Sequence, residues 1–295
     1  MILESSDRVD VALVKAGLFT SRTRAAKAVA AGRVSLDGAQ VTRAAQLAHV
    51  GQDLAVSEDP ADQWVGRAAH KLLGALETFP DVDPTGALCL DAGASTGGFT
   101  QVLLERGAGH VHAVDVGHDQ MHPLVANDPR VSNHEGVNVR ALTEDFVPGG
   151  VDLVVGDLSF ISLTMVVAPL ASVLKPGGEA LLMVKPQFEV GREKLARTGV
   201  VSSPLQRRES VEAVLNAAVA AGLRPLGIGR SSLAGQDGNA EFFVRLLKPR
   251  AASAASAATD TVPAAENAAT AVAPASGESD ASSGFTVMLD AVDYR

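Results

Sequence analysis

The residues best suited to chemistry lie where apolar runs give way to charge. The most telling is Leu88-Cys-Leu-Asp91-Ala-Gly93-Ala-Ser95-Thr-Gly97-Gly98-Phe99-Thr100, an apolar strand that ends in an acid, makes a glycine-rich turn and opens a helix. Such a turn offers bare backbone and helix N–H groups to a ligand, as doubly wound sheets do for nucleotide-like molecules. It lacks the Gly-Lys-Ser/Thr of a Walker loop and does not match Gly-x-Gly-x-x-Gly. A glycine turn also serves structural ends. Here, however, the next apolar run, Val111-His-Ala-Val-Asp115, ends in a second acid. It comes ~20 residues on, where a carboxylate can accept ribose hydrogen bonds. Asn138, after a third run, is placed either to read an adenine edge or to form a turn.

Three further runs end or begin with buried-looking charge: Val155-Gly-Asp157-Leu-Ser-Phe160, Met183-Val-Lys185-Pro-Gln-Phe-Glu189 and Gly238-Asn-Ala-Glu241-Phe-Phe243. Lysine is seldom buried without a partner. Asp157, Lys185 and Glu241 therefore read either as ion pairs that tie a sheet together or as one convergent reactive group. Convergence requires the strand after Glu241 to run opposite to the others, so that its start meets their ends.

The elements that must position these residues follow from hydrophobic patterning. Strands are expected at 87–92, 111–116, 131–135, 151–157, 179–185, 224–231 and 241–247, with helices at 98–106, 160–174 and 205–221. Alternation of this kind predicts an α/β, Rossmann-like sheet, mostly parallel, with helices on both faces. The last strand has no helix before it and is expected to be antiparallel.

Residues 1–59 read as a separate, small α+β unit. Val9, Leu13, Val14 and Leu18 form an apolar stripe; Ser21 can cap a second helix that ends at Gly32; Asp37-Gly38 predicts a type I′ hairpin turn. The net charge of −9 hides a basic cluster in this unit, with Arg8, Arg22, Arg24, Lys27 and Arg33 as candidate contacts to nucleic acid. A solvated basic helix is the plainer alternative. Residues 60–65 read as a linker with Trp64 as an anchor, 66–249 as the main domain, and 250–295, rich in Ala, Ser and acid, as a disordered tail.

The motifs Asp91-Ala-Gly-Ala-Ser-Thr-Gly-Gly-Phe-Thr100, Asp157-Leu-Ser-Phe-Ile-Ser162 and Val184-Lys-Pro-Gln-Phe-Glu-Val-Gly191 resemble those of the TlyA family of ribosomal-RNA ribose methyltransferases, whose catalytic domain is FtsJ-like. The resemblance covers residues 8–248. The stretch Ser21–Gly38 resembles the αL RNA-binding module of a small-subunit ribosomal protein and several RNA-modifying enzymes. The resemblance implies S-adenosylmethionine as cofactor, held by Asp91, Gly93, Ser95, Gly97, Gly98, Phe99, Asp115, Asn138 and Asp157. It also implies a Lys-Asp-Lys-Glu tetrad, falling on Lys71 in Arg67-Ala-Ala-His-Lys71, then Asp157, Lys185 and Glu241, with Ala68 where the family pattern has Gly.

The implied reaction is methylation of a cytidine 2′-hydroxyl in ribosomal RNA or a ribosomal subunit. Lys185 would take the hydroxyl proton, Lys71 would act as a second cation, and Asp157 and Glu241 would orient them. An RNA-binding assembly factor without catalysis is the alternative; a pore-forming haemolysin, a label this family sometimes carries, is a poorer one. One cysteine, Cys89, excludes an intrachain disulfide and a Cys-x-x-Cys metal site. No apolar run approaches the ~18 residues of a membrane span, and Met1–Asp7 does not read as a secretory signal, so no membrane partner and a cytoplasmic location are expected. No metal is expected either: His110 and His112 alternate along a strand, and His118 and His122 read as surface residues.

Overall fold

Period-two alternation organises the larger part of the chain. Along Leu174–Val184, Ala180, Leu182 and Val184 enter one apolar cluster while Leu181 and Met183 enter another. Phe242, Val244 and Leu246 face the first cluster and Phe243 the second. Two apolar faces require cover on both sides. Helices Ala68–Thr78 and Gly98–Glu105 supply it on one face, and Val167–Val173 and Pro204–Ala220 on the other.

The computed structural model describes residues 1–19, 21–57, 63–191, 193, 195–235, 237–250 and 285–295. The chain divides into two units, Met1–Gln63 and Trp64–Arg295. The larger holds seven strands: β1 (Leu88–Ala92), β2 (His110–Asp115), β3 (Val131–Glu135), β4 (Val151–Gly156), β5 (Leu174–Val184), β6 (Arg224–Arg230) and β7 (Phe242–Leu247). Their order in the sheet is β6-β7-β5-β4-β1-β2-β3. Strand β7 is antiparallel to both β5 and β6, and the remaining pairings are parallel. The start of β7 therefore lies beside the end of β5, with Phe242 opposite Val184.

Three expectations change. The helix expected from 160 is broken: Phe160 takes φ +64, and the side chain of Ser162 accepts a hydrogen bond from Thr164 N, starting a short 3-10 turn at Leu163–Met165 before the helix Val167–Val173. Helix Ala68–Thr78 was not anticipated. Its N-terminus has no side-chain cap, so the usual start signal is missing. The tail expected to be disordered is corrected in its last residues. Phe285, Leu289 and Tyr294 are buried against the β7 face, with Phe242 and Tyr294 rings 5.1 Å apart. Asp290 and Asp293 pair with Arg208 and Arg230 at 2.9 and 3.2 Å. Sparse apolar residues at helical spacing suffice when a preformed surface receives them. Residues 251–284 lie outside the described residues, as do 58–62 of the expected linker, while Trp64 and Val65 pack into the larger unit.

In the smaller unit, helices Val9–Lys15 and Arg22–Ala30 cover a three-stranded sheet of Ala39–Gln40, Val34–Leu36 and Leu54–Val56. Ser21 caps the second helix through Arg24 N, and Asp37 and Gly38 both take positive φ in the hairpin turn. Leu18 leaves the expected stripe because Gly17 turns the chain at φ +71.

Candidate active site

Four charged side chains from four elements meet at one edge of the larger sheet. Lys71 stands on helix Ala68–Thr78, Asp157 just beyond β4, Lys185 just beyond β5, and Glu241 just before β7. Lys71 Nζ donates to Glu241 Oε2 at 2.5 Å and lies 3.8 Å from Asp157 Oδ2. The other carboxylate oxygen, Asp157 Oδ1, is 2.7 Å from Lys185 Nζ. Lys71, Lys185 and Glu241 are 6, 7 and 2% exposed, so the charges compensate one another out of water. All four sequence-derived tetrad residues are thus brought together, and the antiparallel run of β7 is what brings Glu241 in.

Two contacts escaped the sequence reading although both residues stood in quoted motifs. Lys185 Nζ donates to the exposed Ser159 hydroxyl at 2.8 Å. Glu189, which closes the short helix Pro186–Glu189, accepts from Ser162 Oγ at 2.5 Å and from Leu163 N at 2.8 Å. Burial pushes the Glu189 carboxyl up, against the lowering effect of those hydrogen bonds. Glu189 therefore ties the loop after Asp157 to the loop after Lys185. Phe160, 91% exposed, meets Phe188 across the same gap at 5.3 Å between ring centroids.

The glycine turn adjoins this group. Gly93 and Gly97 take φ +85 and +89, where L side chains are strained. A Cβ on Gly93 would approach Asp157 O and Leu158 Cδ2 to 3.0 Å, and one on Gly97 would meet Val125 at 3.0 Å. Gly98 lets the helix it opens pass close to Ala68 and Ala69. Asp115 accepts from Ser95 N at 2.9 Å and from Gly117 N at 2.7 Å, joining the turn to the end of β2.

Three expected cofactor contacts are placed differently. Phe99 is a core residue, 2% exposed and stacked 6.3 Å from Phe243, because the first turn of its helix faces the sheet. Asp91 is fully buried beneath the turn and accepts from Thr100 Oγ1 at 2.7 Å. Its pKa is pushed up to about 7, chiefly by burial, with Asp157 and Asp115 adding to the rise against the Thr100 hydrogen bonds. Asn138 caps a short 3-10 turn by accepting from Arg140 N at 3.0 Å. Histidines 110, 112 and 134 form their own patch on β2 and β3, with His112 Nδ1 3.0 Å from His134 Nε2. Among the described residues no His, Cys, Asp and Glu group has metal-holding geometry.

In the smaller unit, the basic residues are more organised than charge alone indicates. Asp10, only 4% exposed, accepts from Arg8 Nε at 3.0 Å and from Arg22 Nη2 at 2.9 Å. Burial raises its carboxyl, but the hydrogen bonds and charges of the two arginines outweigh that and hold it below the usual carboxylate range. Arg24 and Lys27 lie on the exposed face of their helix. Arg33 is half-buried and donates to Ser57 O at 2.9 Å, tying the sheet's end.

A parallel sheet with one inserted antiparallel strand, a glycine turn after β1 and an acid ending β2 define an S-adenosylmethionine-dependent methyltransferase. Residues 64–248 match the FtsJ-like methyltransferase family, and residues 7–54 match the S4 domain. The chain belongs to the FtsJ-like methyltransferase family. It is 46% identical over 239 residues to the 16S/23S rRNA (cytidine-2'-O)-methyltransferase TlyA of Mycobacterium tuberculosis, covering 81% of this chain and 89% of that protein. It is also 30% identical over 241 residues to Hemolysin A of Brachyspira hyodysenteriae, covering 81% and 99%. A solved hemolysin-named structure from Streptococcus thermophilus shares 36% identity with a TM-score of 0.64, over 84% of this chain and 90% of that one.

Proposed function

We propose that this chain methylates the 2′-hydroxyl of a cytidine ribose in ribosomal RNA, within the cytoplasm. The observation that carries the reading is the buried Lys71–Glu241 and Asp157–Lys185 group beside the glycine turn. The residues fit the family's cofactor: the turn is bare where a Cβ on Gly93 would fill the approach to Asp157, and Asp115 ends β2 where a ribose is held in such folds. Gly93, Ser95 and Asp115 would hold it. When bound, S-adenosylmethionine supplies a methyl group on a sulfonium, which leaves as a neutral thioether.

The residues' own work is alignment and proton removal. A ribose hydroxyl is a weak nucleophile until its proton is taken, and a positioned base contributes ~10²–10⁴-fold. Lys185, as the neutral amine, accepts that proton, and the oxygen keeps the O–H electron pair for its new bond to carbon. Asp157 holds Lys185 and compensates the charge that appears on it. Lys71, itself held by Glu241, supports Asp157 from behind. The smaller unit anchors the RNA, with Arg8 and Arg22 set by Asp10, and Arg24 and Lys27 beside them, meeting phosphates and shape.

Mapping 2′-O-methyl positions in ribosomal RNA from cells with and without the gene tests the proposal. A methylated cytidine that disappears with the gene is expected, and unchanged maps overturn it. The hemolysin names motivate one further check. Among the described residues no helix is long and apolar enough to cross a membrane, and purified protein is expected to leave dye-loaded liposomes sealed.

A further inference from the structure

Ser159 lies outside the tetrad, yet it makes the only directed hydrogen bond described for Lys185 Nζ, at 2.8 Å. Asp157 Oδ1 is closer, at 2.7 Å, but its angles are those of an ion pair and not of a directed bond. The carboxylate attracts the amine without fixing its rotation about Cε–Nζ; the hydroxyl fixes it. The Phe188 ring centroid lies 6.0 Å from Nζ.

A neutral lysine amine has two N–H bonds and one lone pair in staggered positions, whereas the ammonium has three N–H bonds and no acceptor capacity. With one N–H bond fixed on Ser159 Oγ, the electrostatic pull of Asp157 Oδ1, 2.7 Å away, draws the second N–H bond to its own side. The lone pair is left with the third. We propose that Ser159 is a positioning residue that aims the Lys185 lone pair at the substrate hydroxyl. This rests on the reading of Lys185 as the proton acceptor. In the step concerned, the hydroxyl O–H bond breaks, a third N–H bond forms on Nζ, and the ammonium produced keeps Asp157 and Ser159 as its partners.

The loop itself is built to hold Ser159 there. The next residue, Phe160, sits at φ +64, a conformation unusual for a bulky side chain. It is held by the Glu189 hydrogen bonds to Ser162 and Leu163 on the far side. A strained residue anchored through Ser162 and Leu163 limits where the preceding hydroxyl can stand.

The test compares Ser159→Ala, Ser159→Thr and Lys185→Ala in the full chain. Single-turnover methylation of ribosomal subunits is read beside cofactor affinity by calorimetry, RNA affinity, and the 13Cε NMR signal of Lys185, assigned by its absence in Lys185→Ala. Ser159→Ala is expected to slow the single-turnover rate about 10–100-fold, as expected of a misaimed group. Both affinities should stay within about twofold while the Lys185 signal moves. Ser159→Thr, which keeps the hydroxyl, is expected to restore rate and signal. A wild-type rate in Ser159→Ala overturns the inference, as does an equal loss in Ser159→Thr, which would mark a packing role. An active Lys185→Ala overturns the underlying reading instead, so the two failures are distinguishable.

Discussion

Replacing Glu241 with Gln separates what the buried charges do for the fold from what they do for the reaction. Glu241 is 2% exposed and holds Lys71, itself 6% exposed, at 2.5 Å. Without its negative charge, the nearest carboxylate oxygen to the Lys71 ammonium is Asp157 Oδ2 at 3.8 Å. Breaking a buried pair from one side typically costs ~3–5 kcal/mol. At ~2–4 °C per kcal/mol for a unit of this size, that lowers Tm by roughly 6–20 °C. Lys71 should then draw Asp157 toward itself and away from Lys185, so turnover falls along with stability. Adding Lys71→Met removes the stranded charge and is expected to recover part of the stability, because an unpaired buried charge costs more than the ~1–3 kcal/mol of the buried Gln amide left without a partner. It should recover little of the rate, since Asp157 then lacks its support. Urea unfolding and single-turnover methylation of the two single variants and the double variant supply the cycle. If the double variant regains its rate together with its stability, Lys71 and Glu241 are a structural pair and the reasoning fails.

Four other outcomes are expected. Asp115→Ala should weaken cofactor binding by ~1–3 kcal/mol, about 5–150-fold, because both the ribose partner and the tie to Ser95 N are lost; calorimetry reads it. Glu189→Ala should depress kcat more than it raises KM, while Glu189→Gln, able to accept from Leu163 N and donate to Ser162, should keep most of the rate. Asp91 has a folded pKa of about 7 against an ordinary value of 3.8, so its protonated form favours the fold. That contribution is complete below pH 4 and declines as pH rises toward 7, by ~4 kcal/mol in all. Asp91→Asn should therefore gain on the wild type between pH 5 and pH 8 in urea unfolding, and parallel curves would refute this. Removing residues 1–60 should leave cofactor affinity unchanged and cripple methylation of ribosomal subunits; full-rate methylation by the truncated chain would show that the smaller unit is not the RNA anchor.

The strands were legible because they run apolar or alternate between polar or glycine-containing turns, and the antiparallel β7 followed from the missing helix before it. Asp157, Lys185 and Glu241 were legible for the same reason: charge at the end of a buried run must find a partner. Lys71 was reached only through the family motif, since its helix begins without a capping side chain. The direction of the Phe99 side chain was not legible, because a motif shows which residues recur and not which way they point; the first helical turn aims it at Phe243. Gly97 proved tighter than a sequence can show: a Cβ there would meet Val125 at 3.0 Å, so packing as well as ligand approach requires glycine. Asp10 lay hidden in an apolar stripe, where only the fold reveals that one buried carboxylate sets two arginines.

The docked last eleven residues, Phe285–Arg295, change what the segment before them is. Arg250 leaves the sheet region just after β7, and Phe285 returns to the same face, so residues 251–284 join two fixed points. The terminal segment thus behaves as a ligand carried by its own receptor. Because it belongs to the same chain, its docking is intramolecular and independent of protein concentration. One proteolytic cut anywhere in 251–284 would turn that self-association into an ordinary bimolecular equilibrium. At cellular protein concentrations the eleven-residue piece would then dilute away. Arg208 and Arg230 would lose their carboxylate partners at Asp290 and Asp293, and the apolar surface around Phe242 would be bared. An intact covalent connection is thereby a determinant of how stably that edge of the sheet is covered.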